Sequence, residues 1–121
     1  SHRNMSSEAK FHMDATSQVA EDTLAAFLTA PVESDLSSLP GVGPAAIRKF
    51  KAAGVETTHQ LIGVYLSMKG EGVSVQAHCD AFWEWLQEVG INAHRSGIVL
   101  CIAEKVNSWM PGIFDSSAVA K

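Results

Sequence analysis

Apolar residues recur every three or four positions along most of this chain, the spacing that places side chains on one face of an α-helix. The pattern predicts helices over 16–28, 76–89 and 93–109. A further helix over 57–68 is apolar on more than one face, as expected of a helix that is buried on several sides or pairs with another chain. Residues 73–75 are ambiguous between an extended piece and the start of the next helix.

The turn between residues 39 and 44 is the most distinctive local pattern. A short helical turn ends at Leu39, two glycines follow, and Pro44 stands at the first position of a new helix. Proline suits that position because its missing N–H would have no partner there. Gly54 is a natural cap for the end of this helix. The stretch 35–54 therefore has the layout of a helix-hairpin-helix, within a compact all-α domain of five helices of the SAM-like type.

The length of 121 residues suffices for one domain, and 46% hydrophobic residues suffice for a core. Residues 1–12 are polar, lack periodicity and end beside a His-Met pair that cloning sites often leave, so a vector-derived or disordered leader is expected. The helical domain is expected over 13–112 and a frayed C-terminal tail over 113–121. No apolar run is long enough to cross a membrane, so no membrane insertion is expected.

The formal net charge of −4 excludes a global positive field that would attract nucleic acid. Binding to nucleic acid therefore requires a local patch, and Arg48, Lys49 and Lys51 form one directly after the glycine turn. The two glycines can adopt positive φ and let another molecule approach the backbone. The N–H groups at the start of the following helix suit a phosphate. The alternative interpretation is a turn that serves packing alone.

No pattern in the sequence is typical of a catalytic or metal site. His78 and Cys79 are adjacent and point apart on a helix, and no C-x₂-C or H-x₃-H spacing exists. Each histidine is expected at the surface or at a helix cap, and both cysteines as buried, reduced thiols. Residues 41–46 match G-x-G-x-x-A, but that dinucleotide fingerprint needs a preceding strand and a βαβ unit. The sequence therefore predicts no enzyme, no metal and no cofactor, with a nucleotide-binding enzyme as the weakest alternative.

Four short motifs follow one another along the chain. They read S-L-P-G-V-G over 38–43, G-V-Y-L-S-M-K over 63–69, F-W-E-W-L over 82–86 and G-I-N-A over 90–93. In order and spacing they resemble the S-L-x-G-I-G, G-Q-F-L-V-L-K, F-R-E-W-L and G-A-N-A motifs of the barrier-to-autointegration factor family, small all-helical proteins of metazoan nuclei. The resemblance runs from about residue 16 to residue 109, most of the chain.

The resemblance implies a homodimer that binds double-stranded DNA through its backbone phosphates without sequence preference, one duplex per subunit, and thereby bridges two duplexes. It also implies a chromatin-associated protein of the nucleus, with the cytoplasm as a further location, and a groove for LEM-domain proteins of the nuclear envelope. The DNA contacts carried over by position are Gly41, Val42, Gly43, Ala45, Ala46, Lys49, Ala93, His94 and Arg95.

Apolar residues of the later helices give a separate prediction of a dimer or partner interface. The residues concerned are Tyr65, Leu66, Trp83 and Trp85. Together they offer more apolar surface than one small core is expected to hide. Trp83 lies off the core stripe of its helix, so it is either a partner contact or an exposed aromatic side chain.

The chain departs from the family's pattern at basic positions. Glu21 and Asp22 stand near the start where the family has lysine, and the family's lysine at the last helix corresponds to His94, which is partly charged at neutral pH. Trp83 replaces an arginine. Fewer cations near DNA predict weaker binding and a shallower salt dependence. The alternative function is therefore a helical protein–protein adaptor of the same fold that has lost DNA binding.

Overall fold

The computed structural model describes residues 8–17 and 19–121, and this part of the chain is all-helical, with five α-helices and no strand. The predicted all-α class is confirmed. None of these helices is both long and apolar enough to span a membrane. The α-helices are α1 Glu21–Thr29, α2 Pro44–Ala52, α3 Thr58–Ser67, α4 Val75–Glu88 and α5 Arg95–Asn107. Short 3₁₀ turns lie at Met13–Thr16, Leu36–Ser38 and Ser116–Ala118.

Helix α5 forms the centre of the core. It packs against α1, α3, α4 and the first 3₁₀ turn, and three residues predicted on its inner face, Ile98, Ile102 and Val106, are buried. Trp109, predicted on the same face, lies just beyond the end of the helix and is 52% exposed, so the prediction is wrong for this residue. Apolar side chains cover α5 on several faces, as expected of a helix that other elements surround. The largest buried side chains of the other helices complete the core, namely Phe50, Leu61, Tyr65, Phe82 and Leu86.

Side chains cap the starts of two α-helices and two 3₁₀ turns, those at Leu36–Ser38 and Ser116–Ala118. The hydroxyl of Thr57 accepts from the N–H of Gln60 at 3.1 Å, and the amide oxygen of Gln60 accepts from the N–H of Thr57 at 3.2 Å, which makes a capping box for α3. Ser74 caps α4 in the same way. Asp35 accepts from the N–H of Ser37 at 2.9 Å at the 3₁₀ turn. The caps lie at Thr57 and Asp35, and the helical residues begin one position later, at Thr58 and Leu36.

Two predicted helices begin too early. The helix expected from residue 16 begins at Glu21, because Thr16 belongs to a 3₁₀ turn and its hydroxyl donates to the carbonyl of Met13 at 2.6 Å. The helix expected from residue 93 begins at Arg95, because the backbone of His94 is left-handed. In both places a local turn competes with the helix for the same residues.

One histidine lies in the core, and the expectation of a surface or capping position is wrong for it. His78 is fully buried, its Nε2 lies 2.7 Å from the carbonyl oxygen of Tyr65, and its ring stacks on the Tyr65 ring with centroids 4.0 Å apart. Both cysteines, Cys79 and Cys101, are free and buried as expected. Burial raises the pKa of each thiol to about 12, which keeps both protonated at neutral pH.

Both ends of the described chain pack onto the domain. Phe11 is fully buried and meets Phe114 edge-on, with ring centroids 6.3 Å apart. The N–H of Met13 donates to the carbonyl of Ala120 at 2.9 Å. The frayed tail expected after residue 112 is therefore wrong. Of the leader expected over 1–12, the described residues 8–12 pack against the core at Phe11. Residues 1–7 lie outside the described part of the chain, and the vector origin of the leader stays a prediction.

Candidate functional site

The turn before α2 exposes backbone rather than side chains. Gly41 has a φ of +88°, which residues with a Cβ rarely adopt. The N–H of Val42 donates to the carbonyl of Leu39 at 3.1 Å, and the Val42 side chain is buried. Gly43 is extended, with a φ of −110°, and a Cβ built there would meet nothing within 4 Å. The backbone of both glycines is therefore open to an approaching ligand.

The first turn of α2 presents N–H groups to the same opening. The first backbone hydrogen bond of α2 is donated by the N–H of Ile47 to the carbonyl of Gly43, at 3.0 Å. The N–H groups of Ala45 and Ala46 precede that bond, and neither donates to an acceptor in the described part of the chain. Pro44, at the first position, has no N–H to satisfy. These free N–H groups and the helix dipole give the start of α2 a positive potential.

Lys49 joins α2 to the loop after α4. Its Nζ donates to the carbonyl of Gly90 at 2.6 Å. Its methylene stem lies against the same residue, because a Cβ built on Gly90 would lie 3.3 Å from the Lys49 Cδ. Gly90 also has a φ of +96°, so glycine suits both the turn and the close approach. Lys49 is nevertheless exposed, which leaves its charge within reach of a ligand.

Helix α5 begins beside the glycine turn. His94 precedes its first residue with a φ of 63° and a ψ of 24°, a left-handed conformation that is uncommon outside glycine. The His94 side chain caps no N–H group of α5. A Cβ built on Gly41 would lie 3.4 Å from the His94 Cβ, so the turn before α2 and the start of α5 are in contact. The N-termini of two helices therefore meet at one place.

These elements enclose an open cleft of about 300 Å³, called the glycine cleft below. Its lining contains no carboxylate, and Lys49 and His94 are its only side chains that carry or can gain a positive charge. The other lining residues are mostly small, so the backbone stays accessible and the cleft suits an anionic group. The lining residues are Gly41, Gly43, Pro44, Ala45, Ala46, Lys49, Ile91, Asn92, Ala93 and His94.

The residues predicted to contact DNA line the glycine cleft, with the exceptions of Val42 and Arg95. The Val42 side chain points into the core. The Arg95 guanidinium lies 4.3 Å from the centre of the Trp83 ring and donates to the carbonyl of Ile91 at 2.7 Å. Arg95 lines a neighbouring hollow of about 210 Å³ instead of the cleft.

Of the four residues predicted at a dimer or partner interface, one is fully buried and three are half-buried. Tyr65 is fully buried between α3 and α4, so its assignment to an interface is corrected, since it has no surface to offer. Trp85 is half-buried and stacks on Phe50 and Phe82, with ring centroids 6.0 and 5.9 Å apart. Leu66 and Trp83 are also half-buried. The most exposed large apolar side chains of the described chain are Trp109 and Met110, and the predicted interface included neither of them.

The prediction also omitted Pro44, Ile91 and Asn92, which line the cleft. A signal for the last two exists in the sequence. Gly90 ends one predicted helix and the next begins shortly after it, so the short loop between them must lie at a helix N-terminus. Such a loop is a common place for an anion site.

A second, larger hollow of about 470 Å³ lies beside α1 and has the opposite character. Its lining includes the carboxylates of Asp22 and Glu33 and contains no lysine or arginine. Phe27 and Pro31 supply apolar surface. This hollow repels anions, so the glycine cleft is the better candidate for a phosphate.

Within residues 8–17 and 19–121, no group of three or more His, Cys, Asp or Glu side chains is arranged to hold a metal ion. The glycine cleft offers backbone N–H groups and the ammonium group of Lys49, which donate hydrogen bonds to an anion, and no carboxylate lies in its lining. Comparisons with protein-family models, with curated proteins and with solved structures find no match to this chain.

Proposed function

We propose that this protein binds double-stranded DNA through the phosphate backbone, without sequence preference, at a helix-hairpin-helix formed by residues 35–54. The observation that carries the proposal is the glycine cleft, where the N-termini of α2 and α5 meet beside Lys49 and no carboxylate intervenes. A phosphodiester supplies the negative charge and the acceptor oxygens that the free N–H groups of Ala45 and Ala46 lack.

The kind of contact determines the specificity. The cleft offers mainly backbone N–H groups and small side chains. Of the side-chain types that commonly read base edges, it contains only Asn92 and Lys49. Phosphate contacts position a protein on the duplex but carry no sequence information. Arg48 and Lys51 lie exposed on the same helix and add positive charge to an otherwise acidic chain. We therefore expect weak, salt-sensitive binding that ignores sequence.

Bridging of two duplexes requires two such clefts, and we propose that a homodimer supplies them. The half-buried apolar side chains of Leu66, Trp83 and Trp85 are the proposed contact. The resemblance to the barrier-to-autointegration factor family supports this homodimer. On the same resemblance we also propose a nuclear location and a LEM-domain partner.

The decisive experiment measures binding of a short random-sequence duplex by fluorescence anisotropy across a salt series. Gly43→Gln places a side chain in the mouth of the cleft, and Lys49→Glu reverses the charge there. The backbone of Gly43 accepts a side chain without strain, and nothing lies within 4 Å of its Cβ position. The matched controls are Gly63→Gln, at an equally open position on α3, and Lys51→Glu, on the same helix but outside the cleft.

The proposal expects binding that weakens as the salt concentration rises, is lost in both cleft variants, and is retained in Gly63→Gln and reduced only modestly in Lys51→Glu. Equal losses in the cleft variants and in their controls would show that general charge, not the cleft, binds DNA. No binding by the wild type even at low salt overturns the proposal.

A second candidate function is a protein–protein adaptor, and the hollow beside α1 favours it. Apolar Phe27 and Pro31 lie there beside the carboxylates of Asp22 and Glu33, a combination that suits a basic partner segment. Trp109 and Met110 add exposed apolar surface, at 52% and 49% exposure. A wild type that binds no DNA, but whose α1 amide signals shift on titration with a basic peptide, supports the adaptor.

A further inference from the structure

We propose that protonation of His94 controls anion binding in the glycine cleft, so that DNA binds more tightly at mildly acidic pH than above neutrality. The inference rests on the proposed function and adds a regulatory group to the same site. Its basis is the position of the His94 imidazole, the charges around it and its freedom from internal hydrogen bonds.

His94 lies at the junction of three openings. It lines the glycine cleft and the two hollows beside it. One hollow, of about 210 Å³, extends toward Trp83 and Arg95. The other, of about 300 Å³, extends toward Val19 and Thr23. A DNA phosphate backbone that lies in any of these openings is therefore close to the His94 imidazole.

The backbone holds the imidazole at that junction. His94 is the one non-glycine residue with positive φ in the described chain, and its Cβ is 3.4 Å from the position of a Cβ built on Gly41. Non-glycine residues adopt this conformation at a cost that the surrounding structure must offset. The side chain is exposed and makes no hydrogen bond within the described residues. Both ring nitrogens are therefore available to a ligand.

The groups that face His94 from the neighbouring elements are cationic or uncharged. Helix α2 contributes Lys49 to the cleft, α5 contributes the next residue, Arg95, and α4 contributes the uncharged indole of Trp83. The segment that leads into α1 contributes uncharged residues alone. Glu21 and Asp22, in the first turn of α1, line none of the three openings.

An added proton on His94 therefore has no carboxylate within these openings to pair with. An incoming phosphate supplies that counter-charge, so protonation and phosphate binding favour one another by linkage. An imidazole changes charge between about pH 5 and about pH 8, whereas lysine and arginine do not. One added charge about 4 Å from a phosphate in water strengthens binding roughly fivefold. It also steepens the dependence of log K on log salt by about 1.

The test measures binding of a random-sequence duplex between about pH 5.5 and about pH 8, at several salt concentrations, by fluorescence anisotropy. Two variants separate charge from shape. His94→Asn is neutral at every pH and tolerates the left-handed backbone, and His94→Lys is charged at every pH. His59→Asn is the control, because His59 is exposed on α3 and lines none of the three openings. Circular dichroism at each pH verifies that all four proteins stay folded.

The expected result is wild-type and His59→Asn binding that strengthens roughly fivefold on acidification, with His94→Asn weak and His94→Lys tight at every pH. The same pH dependence in His94→Asn as in the wild type overturns the inference while the proposed function stands. Binding by none of the proteins at any pH overturns both.

Discussion

His78 is the residue whose chemistry conflicts most with its surroundings. Its Nε2 meets the carbonyl oxygen of Tyr65 at 2.7 Å, which fixes the tautomer with the proton on Nε2. Its Nδ1 is buried without a partner in the described chain, so a second proton would have no acceptor. Burial lowers the pKa of His78, and the hydrogen bond to Tyr65 acts in the opposite direction without cancelling it.

The lowered pKa predicts that acid destabilises the fold. Because the unfolded chain takes up a proton near the ordinary value of 6.5 and the folded chain does so only at lower pH, stability present above pH 6.5 is lost as pH falls. The free energy of unfolding should fall by up to about 1.4 kcal/mol per pH unit in that window. Urea unfolding between about pH 7.5 and about pH 5 measures the slope.

The comparison variant is His78→Gln, which keeps an N–H donor for the Tyr65 carbonyl but does not titrate. It should lose this part of the pH dependence, whereas His59→Gln, at an exposed position, should keep it. An unchanged slope in His78→Gln would assign the acid sensitivity to other groups.

At the scale of the element, hydrogen bonds from one buried ammonium group attach α1 to the rest of the domain more than buried apolar side chains do. None of its residues is buried, and its partly buried side chains include Leu24 and Phe27. Lys105 of α5 is 2% exposed, and its Nζ donates to the carbonyls of Phe27 at 2.7 Å, Leu28 at 3.1 Å and Ala30. These carbonyls are at the C-terminal end of α1, where helical partners are missing and a cation is favoured.

Lys105→Met should therefore detach α1 selectively. The substitution keeps the length of the buried stem but leaves the carbonyls without a donor, which costs about 2–3 kcal/mol. Hydrogen exchange should show α1 amides losing protection more than those of α3 or α4. Lys51→Met, at an exposed position on α2, should change stability by less than about 0.5 kcal/mol. Uniform loss of protection across all helices would mean that α1 is no separate unit.

The hydrophobic spacing predicted all five α-helices, because each helix has a stretch of periodic sequence and most have a start signal in the sequence. The capping box at Thr57 is such a signal, and Pro44 is another. Helix bounds failed where a backbone conformation had no local signal. No residue next to His94 in the sequence indicates a left-handed backbone there. No residue near Thr16 indicates that a 3₁₀ turn precedes α1 and that the helix begins later.

At the scale of the whole molecule, contacts between distant residues were the part that the sequence could not predict. Phe11 and Phe114 lie near opposite ends of the chain and outside the stretches of helical periodicity, and only the folded chain brings them together. The glycine turn of the candidate site carries its own sequence signal. The opposite wall, at Ile91 and Asn92, has a local signal in the short loop after Gly90, but only the folded chain brings that loop beside α2.

The last prediction concerns assembly. If two chains associate through the proposed contact at Trp83, light scattering at tens of micromolar should give twice the mass of one chain. Two duplexes that carry different dyes should then come together in the presence of the protein, with energy transfer between the dyes. Trp83→Glu removes apolar surface but leaves Arg95 an opposite charge beside it, which favours retention of the fold.

The matched control is Trp109→Glu, the same change at an exposed tryptophan at the end of α5. The dimer proposal expects Trp83→Glu to be monomeric and to give no energy transfer, while Trp109→Glu behaves as the wild type. Trp83→Glu should also bind a single duplex more weakly, because the new carboxylate lines the hollow that it shares with His94 and Arg95. The reverse pattern would move the contact to the end of α5. A monomeric wild type that binds DNA would separate the two proposals, because the cleft acts within one chain and bridging requires two.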